Sequence, residues 1–98
     1  MSTDHRLQAK SHIDSLATRL RQLPANASIG SLLDECEALS RAIGAFHMEG
    51  IRFRMYNVDR LLHQPNLAVP PEALGIFSDE RRELEAAGFH TRSHQAPS

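Results

Sequence analysis

The sequence has no tryptophan, one tyrosine and four phenylalanines in 98 residues, so a core built from it must rest on aliphatic side chains. It has one cysteine, Cys36, which excludes an internal disulfide and fits a reducing compartment or an inert buried thiol. Charge of one sign is not in excess: eleven Lys and Arg stand against twelve Asp and Glu, a formal net charge of −1. Such a balance sets up no basic field for phosphate backbones. The densest basic spots, RFRM at 52–55 and ERR at 80–82, are interrupted or balanced by acids. No nucleic-acid partner is expected. No run approaches the ~20 apolar residues that a membrane span needs, and the opening MSTDHRLQAK holds no apolar stretch of signal-peptide length. No membrane partner is expected either, and the chain is expected to be cytoplasmic. Strand signals are missing too: β-branched residues are scarce and no period-2 alternation is sustained.

Catalytic and metal motifs are equally thin. Six histidines are a generous number, yet their spacing makes no metal site. His47 and His63 are too far apart along one helix to share an ion. His5 and His12 stand two turns apart, and His90 and His94, at helical i, i+4 spacing, fall in the polar tail TRSHQAPS region beyond Gly88. For nucleophilic catalysis Cys36 would need His47 as its base, but eleven positions on one helix separate them by ~16 Å. The acidic run DECE at 34–37 fits the first turn of a helix, where carboxylates are stabilised by the dipole. No glycine-rich phosphate loop occurs. The expectation is a protein that is not an enzyme, with no catalytic residues, no cofactor and no metal.

What is present is helical patterning punctuated by proline. A first helix is expected over about 3–23, its stripe set by Ile13, Leu16, Ala17, Leu20 and Leu23, with Leu7 on the wrong side of that stripe. A second, very long helix is expected over 31–63, opened by Ser31 or the rival cap Ser28 and stopped by Gln64–Pro65. Its length of ~45 Å exceeds what so small a domain covers with its own chain. A third helical segment is expected over 71–87. It starts at Pro71 and ends at Gly88 as a left-handed cap with Phe89 folding back on Leu84; Gly75 and the Ser78–Asp79 pair favour two short helices there over one. Together these make one domain over 1–89 and a polar tail over 90–98. The fold class is all-α: an antiparallel helical hairpin, with the third segment folding back, expected to pair into a dimeric helical bundle.

Projected at about 100° per residue, the second helix carries one apolar stripe through Leu32, Cys36, Leu39, Ile43, Phe46, Phe53 and Leu61. Leu33, Ile51, Met55, Val58 and Leu62 form a second beside it. The combined arc is wider than one packing partner needs. Gly50 lies near its centre, where a second backbone would approach closest, since glycine inside a helix costs about 1 kcal/mol against alanine. Leu39, Ile43, Phe46, Gly50, Phe53 and Leu61 are therefore the candidate apolar interface. His47 and Arg54, two turns apart on this arc, are the candidate polar site. Three readings of them stand: snorkelling to a groove edge, pairing of Arg54 with a carboxylate such as Glu49, Glu83, Glu85 or Asp14 across a helix contact, or a pocket for an anionic ligand. The expected function is an oligomerisation or protein-interaction module, a homodimer in the first instance. The alternative is a small-molecule or metal-binding protein with its site around His47 and Arg54, formed within one chain or between chains.

Overall fold

The computed structural model describes residues 4–65, 67 and 69–89. Among them the chain is all-helical, with no strand and four helices: α1 His5–Arg21, α2 Ala27–Gly44, α3 Met48–Leu62 and α4 Pro71–Ala86. None is long and apolar enough to cross a membrane. The tail over 90–98 lies outside the described residues.

Helix α1 opens on Asp4, whose side chain accepts a hydrogen bond from the Leu7 amide, and buries Ala9, Ile13, Leu16, Ala17 and Leu20. Leu7, off that stripe, is exposed. Helix α2 runs beside α1 in the opposite direction: Arg21 meets Glu37 at 2.9 Å, Ser40 donates to Asp14 at 2.6 Å, and Arg6 reaches the Ile43 carbonyl at 2.8 Å. Helix α4 also packs on α1, antiparallel to it, with His5 bound to Glu83 and Arg19 to Glu72. Helix α3 packs on α2 through Ile51, Met55, Val58 and Leu62.

The long helix expected over 31–63 is a correction. It is two helices, α2 and α3, separated at Ala45–His47. Its start also moves, because Asn26 rather than Ser28 or Ser31 is the cap and accepts from the Ile29 amide at 2.9 Å. The physical reason for the break lies in how its loose ends are satisfied. Helix α2 closes with two reversed hydrogen bonds, Phe46 N–H to the Ile43 carbonyl at 3.1 Å and His47 N–H to the Ala42 carbonyl at 3.0 Å. That closure needs a left-handed residue, and Phe46 supplies it at φ 57°. Arg6 donates to the Ile43 and Gly44 carbonyls, at 2.8 and 3.3 Å, placing a cation at the negative end of α2.

The C-terminal segment is one helix, not two. Ala73, Phe77, Glu80 and Leu84 form one buried stripe that continues past Gly75. Packing along that stripe outweighs the ~1 kcal/mol that a helical glycine costs. Its end follows the expected pattern: Gly88 sits at φ 96°, Phe89 N–H donates to the Leu84 carbonyl at 3.0 Å, and both Leu84 and Phe89 are buried.

Candidate functional site

The two polar candidates lie at the start and in the middle of α3, and each has a different employment. His47 is the N-cap of α3, its Nδ1 accepting from the Gly50 amide at 2.8 Å. Gly50 is explained by the same contact, because a β-carbon there would collide with His47 Nδ1. The close approach is thus made by an imidazole of the same chain rather than by a second backbone. Arg54, half-buried, points back to α2, where its Nη1 donates to both oxygens of Glu35 at 3.0 and 2.9 Å. Its guanidinium also lies 5.1 Å from the Phe53 ring centre. The pairing of Arg54 with a carboxylate across a helix contact is therefore present, with Glu35 as a partner outside the four considered. His47 and Arg54 do not converge: one orders a helix start and the other joins two helices.

The apolar candidates divide. Leu39 and Ile43 are fully buried in the chain's own core, and Leu61 and Gly50 are half-buried. Phe46 and Phe53 remain exposed, at 59% and 45%, and Met48 between them at 58% joins them. The Phe46 ring is flanked by Phe89, edge to face with centres 5.4 Å apart, and by the Arg6 guanidinium at 5.4 Å. Phe46 thus combines a strained backbone, a bulky residue at positive φ, with an exposed ring.

Two titratable groups are buried. Burial pushes the Cys36 thiol up to about 12, helped by Glu80, Glu35 and Glu37 and opposed by Arg21. At neutral pH it is a protonated thiol without nucleophilic character. Glu80 has no exposed surface, and neither of its carboxylate oxygens has a hydrogen-bond partner among the described residues. Sequence reading missed it, although the spacing 73, 77, 80, 84 already places this glutamate on the apolar stripe of α4. Among the described residues no group of three or more His, Cys, Asp or Glu is placed to hold a metal ion. Comparison with protein-family models, with curated proteins and with solved structures returned no match to this chain.

Proposed function

We propose that the chain is a non-enzymatic interaction module that self-associates, in the first instance as a homodimer, through the corner between α2 and α3. The observation that carries this reading is the cluster of Phe46, Met48 and Phe53 in eight consecutive residues, each more than two-fifths exposed in a chain with few aromatics. Burying a large apolar side chain is worth about 1.5–3 kcal/mol, and aromatic anchors dominate protein interfaces. Arg6 and Arg54 stand over two of these rings as a polar rim. Leu39 and Ile43 serve the fold and hold the corner in place from beneath.

A ligand pocket at His47 and Arg54 draws no support from the geometry, since both side chains already have partners inside the chain. Native mass spectrometry at low micromolar concentration tests both readings together. The expected result is a dimer of the 10.9 kDa chain without added mass, converted to a folded monomer by Phe53→Asp. A monomer at every concentration up to ~100 µM, or an extra mass lost with His47→Ala, would sink the proposal.

A further inference from the structure

Glu80 sits where a leucine would serve. It lies on the stripe that α4 turns inward, between Phe77 and Leu84, and has 0% of its surface exposed. The His5–Glu83 and Arg19–Glu72 pairs fix the register of α1 against α4 and set Glu80 level with Ala9, itself fully buried. Among the described residues neither carboxylate oxygen has a hydrogen-bond partner, and Arg81 is the one charge that favours its anion. Its neighbour Arg81 reaches away, 3.5 Å from Asp59 on α3 and 5.0 Å over the Phe77 ring, with its buried Nε also unpartnered. From α1, His5 and Arg19 are taken by Glu83 and Glu72, while half-buried His12 follows His5 two turns on along the same face. From α2 the titratable group coupled to Glu80 is the Cys36 thiol, itself neutral. An ionised carboxylate without partners in such a place costs more than a domain of this size has in reserve. The docked helix therefore holds the acid, not its anion.

We propose that α4 is a proton-dependent latch, docked on α1 while the Glu80 carboxyl carries its proton and released as Glu80 ionises. Burial is the dominant cause holding this carboxyl well above the ordinary glutamate value of 4.5, with Arg81 pulling the other way. The docked state thus binds one proton more than the released state at any pH between those two values. Docking is at full strength below about 4.5 and weakens about tenfold per pH unit above it, until the docked-state value is passed. The released helix would uncover the part of α1 level with Glu80, buried Ala9 included.

Amide hydrogen exchange of the full chain between pH 5 and 8, corrected for intrinsic rates, tests the latch. Amides of α4 are expected to lose protection relative to those of α2 as the pH rises, by up to about tenfold per unit. Glu80→Gln should abolish that slope, and His5→Gln, which removes the His5–Glu83 contact at the same interface, should leave it in place. Parallel profiles for the wild type and Glu80→Gln would overturn the proposal. So would equal loss of protection in α2 and α4, which would mean that the fold opens as a whole. Should Glu80→Gln fail to fold, the carboxyl 13C shift of Glu80 in the wild type decides. A titration at the ordinary glutamate value of about 4.5 would refute the latch, and one displaced to higher pH would support it.

Discussion

His47 and Gly50 are three positions apart and make sense only together. The imidazole caps α3 and occupies the space in which a side chain at 50 would begin. Loss of such a cap costs about 1 kcal/mol, so His47→Ala should lower stability by that amount in urea titration. Gly50→Ala alone should destabilise, because the methyl displaces the ring. In the His47→Ala background the same change should stabilise by about 0.5–1 kcal/mol, the ordinary gain of alanine over glycine in a helix. A sign that does not reverse would detach the glycine from the cap. Cys36 makes a second residue-level case. With its thiol raised to about 12 and fully buried, labelling by a thiol reagent at pH 8 should be at least ~100-fold slower than for a free cysteine, whose thiol ionises near 8.5. Addition of denaturant should restore the free rate; prompt labelling of the native protein would contradict this burial.

Among the elements, α1 and the two ends of α4 were legible in the sequence because their signals are local, whereas the continuity of α4 past Gly75, where the sequence favours two short helices, was not. A single apolar stripe, Pro71 at the first helical position and the Gly88–Phe89 closure each lie within a few residues of what they determine. The break between α2 and α3 was not legible. Its left-handed residue is a phenylalanine, which carries no such signal, and its open carbonyls are served by Arg6, 37 positions away from Ile43. An uninterrupted helical pattern continues across it, so periodicity alone reads one helix. The same limit applies to the candidate site: pairing with a carboxylate is one of three readings that the apolar setting of Arg54 leaves open, and Glu35 becomes the partner only once α3 folds back on α2. Arg6→Ala should accordingly cost about 1–2 kcal/mol, from one charged hydrogen bond to the carbonyls and the contact with Phe46. The measurable consequence is a lower urea midpoint and faster exchange of amides near the end of α2. An unchanged midpoint would show that water serves those carbonyls equally well.

For the molecule as a whole, the two inward-closing ends meet. Phe46 ends α2, Phe89 ends α4, and their rings touch, so the chain from 46 to 89 is fastened at both extremities by one aromatic contact. The ring offered to a partner is therefore also a ring that α4 rests against. A partner that draws Phe46 away from Phe89 competes with the docking of α4, and coupling between two such events is reciprocal. Association then acquires a proton stoichiometry. Near neutral pH, binding at the corner should expel a fraction of a proton from Glu80, so heats measured in phosphate and in Tris should differ in proportion to the ionisation enthalpies of the two buffers. Glu80→Gln should make the heats equal, while a buffer-independent heat in the wild type would show that the corner and the buried carboxyl keep separate accounts.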